Sequence, residues 1–548
     1  MIRGMMRRML ILFGMLLALS GLQAAERTLK VTGRYLNIPV SHRMERKHLS
    51  FHAKGVDDLT VLVRIAEDEP DYWVFKDLSA YKGRMLKLDY EGSDASLARL
   101  FVADTIVGGA TMYRETMRPQ FHFTTRRGWI NDPNGLIWYD GEYHLFYQHN
   151  PFEREWQNMH WGHAVSPDLL HWTELDDALY PDSIGTMFSG SAVFDRENLS
   201  GFGSRKQSPM VVAYTNDGAH ETQCIAYSLD RGRTFTKFQG GKPVIDSTDK
   251  WKARDLRDPR LFWYAPGNHW VMVLYELDGN SIYTSTNLRD WEWQSHTPGF
   301  YECPDFFELP VDGNPADTRW VMSGASGTYM LGSFDGRTFT PAGGKYYYTT
   351  GTIYAAQTIT DVPDGRRIQI GWGRVSHPDM PFCGMMLLPT ELSLRTTHEG
   401  VRLVSRPIRE LASLLHPVFT ADKSLTVQQA TEVLQRYAKT DGLHLHASLH
   451  FGHAVGGGLT FNGQRIVDYD LNHSLLNGRF YSPQDVTAMK LEADIYIDRT
   501  SIEVFVEDGL YSYSMERHDD EQHSGFHFTR DDITVGDLHI DTIDSIWK

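Results

Sequence analysis

Cysteine is scarce: Cys224, Cys303 and Cys383 are the only three in 548 residues. An odd three in so long a chain excludes a disulfide framework, so the fold must rest on apolar cores. Positive charge is in the minority, with 54 Lys plus Arg against 70 Asp plus Glu and a net charge of −16. No basic stripe breaks that balance, which argues against nucleic acid and anionic lipid as partners. Beyond residue 25 no apolar run has the length to span a bilayer, so no stable membrane insertion is expected. Residues 1–25 differ: Arg3, Arg7 and Arg8 precede the apolar stretch Met9 to Leu19, and Ala24 and Ala25 close it. A basic start, a short apolar run and small residues make a secretory signal peptide. An exported, cysteine-poor chain reads as bacterial, and periplasmic or extracellular.

Hydrophobic residues at 41% and charged residues at 23% describe an ordered globular protein, and its length predicts two or three domains. Aromatics reach 12%, with 14 Trp and 26 Tyr. Such rings suit β-strands, and their flat faces with polar edges also suit sugars. In residues 26–115, runs such as Leu59 to Ile65 and Met85 to Tyr90 alternate as half-buried strands do, predicting a small N-terminal β-sandwich. That module carries no chemical constellation.

Residues 116–400 repeat a motif of serine, a turn with Asp or Asn, then an aromatic. It occurs at Ser166 to Trp172, Ser228 to Phe235, Ser285 to Trp291 and Ser333 to Phe339. Each interval holds about four short strands, the content of one propeller blade. With the region around Ile368 to Gly373, five blades are expected. Residues 401–548 are again all-β: Leu491 to Ile497 and Ser501 to Glu507 are the clearest strands, and Asp508-Gly509 supplies a hairpin turn. The expected fold class is therefore all-β: a five-bladed β-propeller followed by a C-terminal β-sandwich and preceded by a small one.

Three acidic motifs stand out in the repeating region: Trp129-Ile130-Asn131-Asp132-Pro133-Asn134-Gly135, Arg257-Asp258-Pro259 and Glu302-Cys303-Pro304-Asp305. Each sets a carboxylate near a proline, which is excluded from a central strand. Such segments are expected where strands end near the propeller axis, so acids distant in sequence meet there. Paired carboxylates are what glycoside hydrolysis requires, one to attack and one to give a proton. His444, His446 and His450 share one face of a strand, but no Cys or neighbouring acid completes a metal set, so no metal and no cofactor are expected.

With these three motifs, and with Phe188-Ser189-Gly190-Ser191 and His160 to Ser166, the sequence resembles glycoside hydrolase family 32, the β-fructosidases. The resemblance covers roughly residues 117–548. It implies that Asp132 is the nucleophile, Glu302 the general acid/base and Asp258 the group that holds fructosyl hydroxyls as charge develops. It implies that Asn131, Gln148, Ser189 and Arg257 bind the terminal fructose, with Trp129, Trp156, Phe188 and Trp372 as an apolar wall. The implied chemistry is retaining, with carboxyl groups about 5 Å apart. The implied substrate is a fructan or fructooligosaccharide of levan or inulin type, cut to release terminal fructose. Endo-levanase and invertase activity are the alternatives within the family, and a non-catalytic fructan-binding propeller is the alternative outside enzymes. Tyr348 to Ile353 lacks the acid many relatives carry there, so a sucrose preference is not implied. A leading module like residues 26–115 occurs in levanase-like relatives, which favours fructans.

Overall fold

The computed structural model describes residues 24–246, 255–485 and 487–547. The expected signal peptide lies, up to residue 23, outside the described residues. The chain divides into two compact units. One runs to Ala110 and takes in Pro151–Asn158; the other holds Thr111–Asn150 and everything from Met159 onward.

The first unit has a four-stranded antiparallel sheet, ordered Ala25–Lys30, Met85–Tyr90, Lys47–Ala53, Val56–Val63. Its second sheet has three strands, ordered Tyr72–Asp77, Tyr35–Val40, Phe101–Ala103. Strict alternation makes these strands two-faced. In Tyr72–Asp77 every second residue is buried, and Leu36, Ile38, Phe51, Val61 and Val74 form the core with Phe152 of the captured segment. Polar bonds hold that segment too. Glu153 accepts from Arg46 Nε at 2.8 Å and from the Arg64 backbone N–H at 2.9 Å. Asn158 exchanges two 2.8 Å hydrogen bonds with the Leu62 backbone, as a neighbouring strand would.

The second unit contains the blades. Four begin with inner strands that we label β1 (Gly128–Tyr139), β2 (Thr186–Phe194), β3 (Leu256–Tyr264) and β4 (Asp305–Val311), and the fifth with β5 (Ile353–Thr358). Each leads outward through antiparallel neighbours. The circle closes because Phe382–Cys383, after the fifth blade, pairs in parallel with Gly128 and Trp129 of the first. The repeated motif is the turn between third and fourth strands. Asp168, Asp230, Asn287 and Asp335 each accept from backbone N–H groups two to four residues on. The following residue or so is left-handed: Leu169, Arg231, Leu288 and Gly336 have φ of 70°, 61°, 61° and 96°. Trp172 and Trp291 then bond back to the carbonyls of Leu169 and Leu288.

The C-terminal sandwich packs an eight-stranded sheet on a five-stranded one. Ser501–Val506 is buried on both faces. Ile502, Val504 and Val506 fill the sandwich core. Phe505 joins Tyr496 in a cluster with Phe121, Leu145 and Ile370 of the propeller. Glu503, on that same face, is buried because it accepts from His122 Nε2 at 2.6 Å and from the Leu388 N–H at 3.0 Å. His122 Nδ1 reaches Asp498 at 2.7 Å, so one imidazole joins propeller and sandwich.

Candidate active site

The prolines do not end the inner strands. β1 runs through Asp132-Pro133 and β3 through Asp258-Pro259 without a break. The expectation that these segments lie at strand ends is corrected by a bulge at each. Ile130 faces His149 and Pro133 faces Tyr147, so Asn131 and Asp132 together oppose the single residue Gln148. On β2, Phe188 and Ser189 oppose Thr215. On β3, Asp258 and Pro259 oppose Leu274. On β5, Ala355 and Ala356 oppose Gly371. A bulge leaves one residue outside the ladder, bends the strand and re-aims its side chains. That tolerates a residue without an N–H and turns an acid out of the sheet. Just before β4 the chain makes the same departure, with φ of 31° at Glu302 and 45° at Cys303. Asp258 and Ala355 are also left-handed, at 64° and 50°. Such geometry costs about 1–3 kcal/mol per residue and persists only where surroundings enforce it. For Asp258 they include Thr215, whose Oγ1 accepts the Asp258 N–H at 3.0 Å.

The bulged residues converge. Asp132 accepts from Ser189 Oγ at 2.7 Å and from Asn131 Nδ2 at 3.1 Å, and Asn131 accepts from Trp129 Nε1 at 2.8 Å. Cys303 sits between the two aspartates: its Sγ is 3.4 Å from Oδ2 of Asp132 and 3.4 Å from Oδ2 of Asp258. Its N–H donates to Asp258 at 2.9 Å. Burial and the facing carboxylates push the Cys303 thiol well up, so it stays a neutral S–H. Glu302 receives Arg257 Nε at 3.0 Å and Tyr354 OH at 2.6 Å. Arg257 also donates to both oxygens of Glu221 at 3.0 and 3.2 Å and to Tyr301 OH at 3.0 Å.

Burial raises the Asp132 carboxyl, partly offset by its bonds from Ser189 and Asn131. Asp258 goes further: burial, then the charges of Asp132 and Glu302, push it up to about 8 against the opposing pull of Arg257. The cluster therefore keeps a proton near neutral pH. Glu302 is the more open of the last two, its side chain 21% exposed against 6% for Asp258. The arrangement offers an ionisable nucleophile, a second carboxyl open to an incoming oxygen and a stored proton, the parts needed for cleavage at an acetal carbon.

Of the other expected binding residues, Trp129 and Trp372 meet edge to face at 5.8 Å. Gln148 is buried opposite the Asp132 bulge and donates to the Met187 carbonyl at 2.9 Å. Phe188 shares its bulge with Ser189, and its carbonyl accepts from Trp161 Nε1. Trp156 is half exposed and belongs to the segment grouped with the first unit. Residues without a distinguishing motif in the sequence also reach the cluster: Tyr354, Glu221, Tyr301 and Thr215. Tyr354 stands beside a family motif, and Tyr301 beside Glu302. Glu221 and Thr215 lie in plain strands with no signal.

Residues 122–407 match the model of the glycosyl hydrolases family 32 N-terminal domain. The chain is 39% identical over 467 residues to a levanase of Bacillus subtilis, covering 75% of this chain and 68% of that one. It is 32% identical to an extracellular exo-inulinase of Aspergillus niger, covering 75% and 92%. Among solved structures it is similar to an exo-inulinase from Aspergillus awamori, with a TM-score of 0.69 and 28% identity over 79% of this chain and 100% of that one.

Proposed function

The chain belongs to glycosyl hydrolase family 32, and from that premise we propose that it is an exported, retaining β-fructosidase that releases fructose from the ends of a fructan. The observation that carries this reading is the convergence of Asp132, Asp258 and Glu302 around Cys303 and Arg257. The similarity to a levanase and an exo-inulinase supports a fructan as substrate. The domain plan that goes with it is a module of residues 26–115, a catalytic propeller of 116–400 and a sandwich of 401–548. Export to the periplasm or beyond rests on the basic and apolar start of the chain. Among the described residues no helix is long and apolar enough to cross a membrane.

In the proposed cycle Asp132 attacks the anomeric carbon while Glu302 protonates the departing glycosidic oxygen. Glu302 then takes a proton from water, which attacks the same carbon and frees Asp132. Two inversions return the original configuration. Hydrogen bonds from Ser189 and Asn131 favour the ionised, attacking form of Asp132 against its burial. Asp258 and Arg257 hold ring hydroxyls as positive charge grows. Trp129, Trp372 and Phe188 line the ring, with Gln148 completing the contacts. Asp132→Asn is expected to lower turnover more than about 10³-fold, and Glu302→Gln about 10²–10⁴-fold. Chromatography of early products from levan, inulin and sucrose tests the substrate. Fructose alone from levan supports end-wise attack; a ladder of oligosaccharides means internal cleavage, and no product from any of the three overturns the reading.

A further inference from the structure

A cavity of about 780 Å³ opens along the same inner strands beyond the bulges. On β3, Asp258 stands at one end, while Arg260, Phe262 and Trp263 line this cavity. At ~3.3 Å per strand residue, Phe262 lies roughly 13 Å along the strand from Asp258, so the carboxyl cluster and the cavity are separate places. None of the residues assigned above to fructose binding lines it.

Two guanidiniums line the cavity with donors to spare. Arg260 is 2% exposed. Its Nε lies 2.9 Å from Asp305, and its Nη2 donates to Thr358 Oγ1 at 3.0 Å. Its Nη1 has no hydrogen-bond partner among the described residues. Among the described residues the Arg367 side chain makes no hydrogen bond or ion pair; its guanidinium stands over the Phe307 ring at 5.1 Å. Burial and the neighbouring charge of Arg260 push Arg367 down to about 10. Of the four acids that line the cavity, Glu197 is exposed and the other three are engaged. Asp195 accepts from the Leu199 and Ser200 N–H groups. Asp361 lies 3.4 Å from Arg196, and Glu308 accepts from Thr318 Oγ1 at 2.5 Å.

Asp305 answers the charge of Arg260, but a buried donor left without a partner still costs stability, and Arg367 adds a second guanidinium that is not ion-paired. Guanidinium forks match oxyanions two bonds at a time, and the aromatic wall of Phe262, Trp263 and Trp320 receives an apolar body. We infer that this cavity is a second ligand site, built for a carboxylate or phosphate oxyanion held by Arg260 and Arg367.

Titration calorimetry of the full chain at low ionic strength tests it, with inorganic phosphate in one arm and benzoate in the other. Saturable one-to-one binding is expected in at least one arm, and which arm responds separates a phosphate from a carboxylate on a flat body. Arg367→Gln is expected to weaken that binding at least tenfold while leaving the hydrolytic rate unchanged. Should Arg367→Gln fail to fold, Arg367→Lys keeps the charge without the fork, and a threefold or greater loss of affinity then supports the site equally. No saturable binding in either arm, or unchanged affinity in the variant that folds, overturns the site.

Discussion

Replacing Arg257 with lysine keeps the charge and removes the fork that reaches Glu302, Glu221 and Tyr301 at once. Lysine supplies a single point of contact, so Glu302 loses its fixed orientation. We expect Arg257→Lys to lower kcat/KM roughly 10²-fold, the scale of losing one preorganised donor. Tyr354→Phe removes only the 2.6 Å bond to Glu302 and is expected to cost about tenfold in kcat, with KM little changed. Steady-state kinetics on one substrate checks both, and an unchanged kcat in Tyr354→Phe would mean that this hydroxyl is idle. At this scale the sequence is partly legible. Asp132 and Asp258 stand directly before Pro and Glu302 two places before Pro304, in unusual strings, and that oddity marks them out. Glu221 carries no such mark. It reaches Arg257 only because two blades lie side by side, a fact about packing rather than local sequence.

Among elements, the outer turns are legible because their chemistry is local: an Asx side chain, a left-handed residue and an aromatic lie within eight positions. The bulges are not. Proline beside an acid signals an interruption, but whether a strand stops or merely skips a residue depends on its partner's register. The three histidines of Leu443–His450 show the same limit. Asp494 and Asp541, the partners of His444, come from the strands on either side. The short strand Thr349–Gly351 gives a sharp test of element fit. It pairs in parallel with Ser512 to Ser514 of the sandwich. Gly351 has φ of 97°, and a Cβ there would lie 1.8 Å from the Ser514 carbonyl oxygen. Gly351→Ala should therefore destabilise by about 1–3 kcal/mol or more, read as a lowered midpoint in urea unfolding. An unchanged midpoint would show that this seam yields easily.

For the whole molecule, two buried groups set the pH response. The carboxyl of Asp258 is raised from an ordinary 3.8 to about 8, so the native state holds a proton that the unfolded chain releases. Stability from this group is full below pH 4 and falls as pH climbs toward 8. His122, held between Asp498 and Glu503, is raised to about 9 despite its burial, which opposes the charge. Its contribution is full below pH 6.5 and is lost as pH passes through 9. Thermal midpoints measured from pH 5 to 9 should fall throughout that range. Asp258→Asn should flatten the part below 8 and melt a few degrees higher at pH 8, at the expense of activity. His122→Gln should melt lower at pH 6 and lose the slope above 7. Parallel curves for wild type and both variants would remove these groups from the account. At this scale the succession of β domains is readable from periodicity, but the segment Pro151–Asn158 is not. Its anchors, Glu153 to Arg46 and Glu153 to Arg64, span 107 and 89 positions.

The bulges also decide where the chain can change length. Turns at the rim, such as exposed Arg205 and Lys206, lie outside the inner ladders. About ten residues inserted there should leave the rate of hydrolysis untouched, because loop closure grows only slowly with length. Deleting Ala355 alone should abolish it. The strand would regain a regular ladder, and the bulge that aims Tyr354 at Glu302 would be lost. Evolution is thus free to write at the margins of each blade and is held to an exact residue count at the hub.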